Sequence, residues 1–78
     1  MAKKNQKINT IRIYYDSFGN TLSVWFDDPA KEYVSEETGE EVILNKDKNG
    51  AVIGFEKLNY LKPRVRTPKQ LPVEVLVR

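Results

Sequence analysis

The stretch IRIYYDSFGNTLSVWF, residues 11–26, decides the fold of this chain. Apolar and polar residues alternate with a period of two on both sides of the polar segment at residues 16–20, a pattern that predicts two strands joined in a hairpin. A four-residue loop at residues 17–20 puts every apolar position on one side of the hairpin. The predicted pairs are Ile11 with Phe26, Ile13 with Val24 and Tyr15 with Leu22.

The same register places Arg12 opposite Trp25 on the other side of the hairpin. A guanidinium over an indole forms a cation–π contact worth about 0.5 to 1 kcal/mol when it is exposed.

A second hairpin is predicted around the Asn49-Gly50 turn signal. A four-residue loop at residues 47–50 pairs Leu44 with Ile53 and Val42 with Phe55. A tighter turn, or a three-residue loop with a bulge, would change these pairs. The register of the second hairpin therefore stays open at this point.

Between the hairpins, residues 32–36 favour a short strand, whereas Asp28 before Pro29 is typical of a cap on one helical turn. Prolines then predict an extended segment at residues 62–72. After it, Val73, Val75 and Val77 alternate with other residues as in a strand. That strand either closes the sheet of its own chain or pairs with a second copy.

These elements predict a mainly β protein: a small antiparallel sheet or partly open barrel of two hairpins plus a C-terminal strand, with little or no helix. Residues 1–78 are expected to form a single domain, with residues 1–8 as a flexible N-terminus.

The amino-acid composition excludes several kinds of catalytic and metal-binding chemistry. With neither cysteine nor histidine, the chain has no disulfide, no thiolate nucleophile and no histidine base or zinc ligand. We therefore expect a protein that is not an enzyme and carries no cofactor. The lack of cysteine and of any long apolar run favours a soluble, cytoplasmic protein without membrane contact.

The net charge of +2 conceals an uneven distribution. Four bases lie in residues 1–13, ten acids against three bases in residues 14–56, and six bases against one acid in residues 57–78. Such ends either bind an acidic partner such as nucleic acid, or fold back on the acidic middle.

Residues 45–56 match the spacing of a calcium-binding loop, with Asn45 in the place of the usual aspartate and Glu56 at the end. Because the flanking residues read as strands rather than helices, the segment is interpreted as a hairpin turn and no metal site is predicted. The clustered acids of the middle segment are likewise interpreted as a solvated edge.

A candidate binding surface combines exposed aromatic and basic residues, a pattern typical of single-stranded nucleic-acid binding. Its members are Arg12, Tyr14, Trp25, Arg64 and Arg66. Alternatively, Tyr14 and Trp25 pack under the C-terminal segment.

Two segments carry a resemblance to a known family. Residues 15–26 and 42–58 resemble the domain of unknown function 2283, a small uncharacterised prokaryotic family with the approximate pattern Y-D-x-x-x-D-x-L-Y-I, then V-I-L-D-x-D-x-x-G-x-x-x-G-I-E-I-L. The resemblance covers about residues 11–59, and Asn20, Ser23 and Asn45 depart from it. It implies a small β-rich domain with no established activity, and some members look like partners of small toxin-like proteins, which is compatible with an antitoxin-like role.

The sequence thus leads to a non-enzymatic β interaction module that binds a protein partner or a second copy of itself as a homodimer. The alternative is a single-stranded nucleic-acid-binding domain that uses basic termini and exposed aromatics.

Overall fold

The computed structural model describes residues 10–62 and 70–78. In this part of the chain five strands form one open antiparallel sheet: β1 (Arg12–Asp16), β2 (Thr21–Trp25), β3 (Val34–Glu37), β4 (Val42–Lys46) and β5 (Val52–Lys57). Their order across the sheet is β1-β2-β5-β4-β3. The mainly β prediction is confirmed, and the sheet is open, with β1 and β3 at its edges.

The first hairpin has the predicted register. Ile13 pairs with Val24, Tyr15 with Leu22 and Arg12 with Trp25, around the four-residue loop 17–20. Two side chains stabilise the loop locally: an Asp16 carboxylate oxygen accepts from the Phe18 amide, and Asn20 adopts a left-handed backbone (φ 53°) that asparagine tolerates better than most residues.

The four-residue loop predicted for the second hairpin is wrong. Leu44 pairs with Phe55 and Val42 with Lys57, two residues away from the expected partners. The loop contains three residues, 48–50, because Asp47 and Ala51 are joined by a backbone hydrogen bond of 2.9 Å and Gly50 takes a φ of 84°. A bulge beside Asn45 and Lys46 adds one residue to β5. The total shift is an even number of residues, so the predicted apolar side chains keep their face.

Both alternatives for the segment between the hairpins occur, in adjacent residues. Pro29–Lys31 forms one 3₁₀ turn, capped by the Asp28 carboxylate, which accepts from the Ala30 amide at 2.9 Å. Strand β3 follows at Val34–Glu37 and pairs with β4.

The predicted C-terminal strand does not close the sheet of its own chain, and its pairing with a second copy stays a prediction. Residues 73–78 have no strand pairing within the described chain, and Val75 and Val77 are exposed. Alternation alone does not make a strand, which needs a neighbouring backbone to bond. Here Val73 donates to the Leu71 carbonyl in a local turn, and the Pro72 carbonyl accepts from the Tyr60 hydroxyl.

Two further expectations concern segments that the structure describes only in part or not at all. The flexible N-terminus at residues 1–8 lies outside the described residues, and so does most of the extended segment 62–72. Among the residues that are described, no helix has the length and apolarity needed to cross a membrane.

Asn20 holds the chain that leaves β5 against the first hairpin. Its side-chain oxygen accepts from the Tyr15 hydroxyl (2.7 Å) and the Leu61 amide (2.9 Å), and its side-chain nitrogen donates to the Leu61 carbonyl (2.8 Å). The Asn20 carbonyl also accepts from the Tyr60 amide. The Tyr15 and Tyr60 rings consequently lie 6.2 Å apart at this end of the sheet.

The centre of the sheet depends on Gly54. A β-carbon at this position would lie 2.7 Å from the Val24 carbonyl oxygen and 2.8 Å from the Trp25 ring. Trp25, directly opposite on β2, uses that space and is 8% exposed. The close approach of backbone and indole therefore requires a residue without a side chain.

We expect Gly54→Ala to lower the free energy of unfolding by about 1 to 3 kcal/mol, because the added methyl meets backbone that cannot move without breaking the β2–β5 pairing. Urea unfolding followed by circular dichroism measures the loss. Gly19→Ala is the matched control: its methyl meets only a flexible carboxylate at 3.1 Å, and the change should stay within about 0.5 kcal/mol. Equal losses for both variants would contradict this account of Gly54.

Asn20→Asp should cost about 1 to 3 kcal/mol at pH 7, because it replaces the amide donor to the Leu61 carbonyl with an acceptor and leaves two oxygens facing each other. Thermal unfolding at pH 7 measures the effect. Asn59→Asp is the control, since Asn59 also has a left-handed backbone but bonds only an exposed Glu41 carboxylate. A loss no larger than that of the control would contradict the role of Asn20.

Candidate binding surfaces

The register divides the sheet into two unlike faces. Residues that pair across strands share a face, so Ile13, Val24, Phe55 and Leu44 form one continuous row from β1 to β4. Tyr15 and Phe26 flank this row on the same side. Leu22, which is buried (7% exposed), and Val42 lie on this side too. We call the apolar residues of this side the apolar face: Ile13, Tyr15, Leu22, Val24, Phe26, Val42, Leu44 and Phe55.

The apolar face is only partly covered. Ile13 is 38% exposed and Phe26 39% exposed, and Val24, Leu44 and Phe55 are half-buried. The Phe26 and Phe55 rings lie 6.1 Å apart with an angle of 50° between their planes, a favourable tilted arrangement. A contiguous apolar surface left accessible on a small domain is typical of an interaction site.

Two ion pairs include lysines on this side of the sheet: Lys46 of β4, two residues from Leu44, and Lys57 of β5, between Leu22 and Val42. Lys46 pairs with Glu36, and Lys57 pairs with Glu41 at 3.4 Å. The carboxylates are at least half-exposed. Such pairs add little stability, but they give the apolar face a charged border on one side.

The opposite face is polar at its edges and packed at its centre. One row across the sheet contains Arg12, Trp25, Gly54, Asn45 and Ser35. Because Gly54 has no side chain, the Trp25 ring lies over the backbone of β5. Asn45, next in the row, is completely buried (0% exposed).

Asn45 is the most deeply buried polar residue of the described chain. Its side-chain oxygen lies 3.3 Å from the Ser35 hydroxyl, which also donates to Glu32. Its side-chain nitrogen has no partner among the described residues. A hydroxyl has one proton, so Ser35 donates either to Glu32 or to Asn45 at any one time.

The residues of the calcium-like spacing are engaged elsewhere. Asn45 is buried in β4, Glu56 belongs to β5 opposite Ser23 and Ile43, and one Asp47 carboxylate oxygen accepts from the amides of Asn49 and Ala51, both at 2.9 Å. Asp47 thus closes the hairpin turn, as the interpretation of this segment expects. Over residues 10–62 and 70–78, no group of three acidic side chains lies close enough together to hold a metal ion.

One carboxylate has a shifted pKa. The Asp28 amide donates to Asp27 and lowers the pKa of that carboxyl group. Desolvation acts in the opposite direction, and the nearby Lys31 ammonium lowers the pKa further. A general acid working near neutral pH needs a raised pKa instead.

The predicted binding residues are not all at one surface. Arg12 and Tyr14 are exposed on β1, whereas Trp25 on β2 is buried. Arg64 and Arg66 lie outside the described residues. The Trp25 ring packs on Gly54 on one side. The alternative, in which Tyr14 and Trp25 pack under the C-terminal segment, stays a prediction, because residues 63–69 of that segment lie outside the described residues.

Sequence reasoning missed two features of these surfaces. Phe18, at the tip of the first loop, is fully exposed, and Tyr33 before β3 is largely exposed. The position of Phe18 inside a turn was the available signal. The hydrogen bonds between Asn20 and Leu61 could not be predicted either, because the partners of Asn20 are backbone groups 41 residues away in the sequence.

Fold and surfaces define a small open-sheet β domain with one accessible apolar face. A family profile described as a protein of unknown function, DUF2283, matches residues 12–60. The chain belongs to this family, as the resemblance indicated, and the matched region comprises all five strands. Searches of curated proteins and of solved structures found no match.

The single tryptophan gives a direct test of this geometry. Because Trp25 is 8% exposed, we expect blue-shifted emission and weak quenching by iodide in the folded protein. Unfolding in urea should shift the emission to the red and raise the quenching constant several-fold. Equal quenching in the folded and unfolded states would contradict the packing of Trp25 on Gly54.

Proposed function

We propose that this protein is a non-enzymatic interaction module whose apolar face binds a protein partner. The observation that carries the proposal is the exposure of Ile13 and Phe26 beside a half-buried row of apolar side chains. Covering this face removes apolar surface from water at about 25 cal/mol per Å², which favours association.

A depression among the described residues is too small and open to be a substrate cleft. One depression, lined by Glu37, Gly39, Val42 and Leu58 among others, has a volume of about 210 Å³ and opens widely to solvent. Substrate pockets are usually larger, about 300 to 1,000 Å³, and enclose most of the ligand. The downward pKa shift at Asp27 also favours a charged carboxylate over a catalytic acid.

The border of the apolar face favours a basic partner. Exposed acids lie at its β3 and β4 side, at Glu36, Glu37, Glu40 and Glu41. Acidic groups around an apolar centre steer a positively charged protein and select its orientation. The antitoxin-like role implied by the family resemblance requires this kind of partner, for example a basic nuclease.

Single-stranded nucleic acid is the less favoured partner. Base stacking needs exposed aromatic faces, and Trp25 is not available for it. Tyr14 on β1 stays accessible (53% exposed), so the test uses a labelled single-stranded oligonucleotide rather than Trp25 emission. We expect its fluorescence anisotropy to stay at the value of the free strand at low salt; a saturable rise that weakens with added salt would favour nucleic acid instead.

We expect Phe26→Lys to abolish capture of the partner while the domain stays folded, since Phe26 is exposed in the free protein. The measurement is co-purification of the tagged full chain from its native host, with mass spectrometry of stoichiometric proteins. Tyr33→Lys is the matched control, because Tyr33 is also an exposed aromatic but is not part of the apolar face. Partners retained by Phe26→Lys, or lost equally with both variants, would contradict the proposal.

A further inference from the structure

We infer that the outer edge of β1 pairs with β1 of a second copy, so that two sheets join into one ten-stranded sheet around a two-fold axis at Tyr14. The inference rests on the proposed function in naming self-association as one interaction of the module. It uses a different surface, the sheet edge rather than the apolar face. The two are therefore separable by experiment.

Strand β1 lacks the features that normally protect a sheet edge. It is five residues long, pairs with β2 in register without a bulge, and contains neither proline nor glycine. No described residue pairs with its outer side. A regular exposed edge of this kind is a template for another strand.

The opposite edge is protected by its sequence. Strand β3 has only four residues, two of which are Glu36 and Glu37, and it contains no base. Pairing β3 with its own copy would put four carboxylates and no base of β3 along the joined edge, so no register pairs a charge with its opposite. Of the two edges, β1 is therefore the one suited to a second copy.

The side chains of β1 are complementary to themselves in one antiparallel register. With Tyr14 opposite Tyr14 of the second copy, Arg12 lies opposite Asp16 of the second copy, and the reverse pair forms by symmetry. On the other face, Ile13 lies opposite Tyr15 of the second copy. Charge meets opposite charge on one side, and apolar meets apolar on the other.

Other registers lose this complementarity. A shift of two residues in either direction leaves both Arg12 and Asp16 without an oppositely charged partner. A shift of one residue places the apolar face of one copy on the polar side of the other. The favoured register instead makes the two apolar faces continuous.

Pairing would also cover residues that are exposed in the single chain. Tyr14 is 53% exposed, Ile13 is 38% exposed, and both lie on the edge strand itself. Since Ile13 belongs to the apolar face, the dimer presents one broad apolar surface instead of two small ones.

The first test is the oligomeric state of the full chain by analytical ultracentrifugation over a concentration series. We expect a dimer whose dissociation constant rises with salt, because the two Arg12–Asp16 pairs are solvent-exposed. Tyr14→Lys places two like charges at the two-fold axis and should raise the dissociation constant by about tenfold or more. Arg12→Glu should act in the same direction, and both variants preserve the turn hydrogen bond of Asp16.

Tyr33→Lys is the control and should leave the dimer unchanged, since Tyr33 precedes the other edge. A wild-type protein that is monomeric at all concentrations overturns the inference. So does a dimer that persists in both Tyr14→Lys and Arg12→Glu, or one that Tyr33→Lys weakens equally.

The register of the β1–β1 pairing can be tested by disulfide cross-linking, because the chain has no cysteine of its own that could react. In the inferred dimer the two Tyr14 positions are directly opposite, at a separation that a disulfide spans, so Tyr14→Cys should cross-link to itself under mild oxidation. Tyr33→Cys should not. A dimer in which Tyr14→Cys fails to cross-link overturns this register.

The two proposals fail in different ways. If the chain is monomeric but Phe26→Lys still abolishes capture of a protein partner, the edge inference fails and the interaction module stands. If the dimer forms as described but no partner depends on Phe26, the proposed use of the apolar face fails and the edge pairing stands.

Discussion

The pairing of β2 with β5 holds this protein together, and it depends on the close contact between Trp25 and Gly54. These strands join the two hairpins, since β1 contacts β2 only and β3 contacts β4 only. Trp25 fills the space over the Gly54 backbone, where a β-carbon would lie 2.8 Å from the indole. A bulky ring opposite a bare backbone fixes which residues of the two hairpins meet.

This contact also determines what the rest of the sheet can do. The largest side chain of the protein is buried on the polar face, next to the fully buried Asn45. On the other side Leu22 is equally buried, near the end held by Asn20, Tyr60 and Leu61, whereas Ile13 and Phe26 stay exposed. A single sheet has two faces, and a chain of this size has too few other residues to cover both of them. Some apolar surface therefore stays accessible to solvent.

The sequence predicted the parts of the fold that depend on local rules. Alternation and turn residues identified both hairpins and the register of the first one, except that the predicted Ile11–Phe26 pair lies beyond the ends of β1 and β2 and is not part of the ladder. The second register was wrong because Asp47 and Gly50 form a three-residue loop, and a bulge on β5 adds a further residue. Each effect alone shifts the pairing by one residue and would reverse the faces, but together they shift it by two. Val42, Leu44 and Phe55 therefore still share a face, although their partners differ from the predicted ones.

Features that depend on distant contacts were not predictable in this way. The burial of Trp25 follows from the strand order, which places β5 next to β2, and alternation along one strand contains no information about it. The valine row at residues 73–77 has the pattern of a strand without the neighbour that a strand requires. In the candidate binding surface, Arg12 and Tyr14 are exposed because they lie on the edge strand β1. Trp25 is not exposed there, because β2 pairs with β5 and the indole packs on Gly54.

The two edges of the sheet divide the charge of the chain in a way that the net value of +2 conceals. Strand β3 has two acids and no base, so it offers no opposite charge to a copy of itself and favours a basic protein. Strand β1 has a base at one end and an acid at the other, and antiparallel reversal matches each with its opposite. A basic partner at the β3 side and a second copy at the β1 edge would occupy opposite ends of the same sheet. The apolar face between them is then continuous with both contacts, because Ile13 lies at one end of its row and Leu44 lies beside Glu36 at the other.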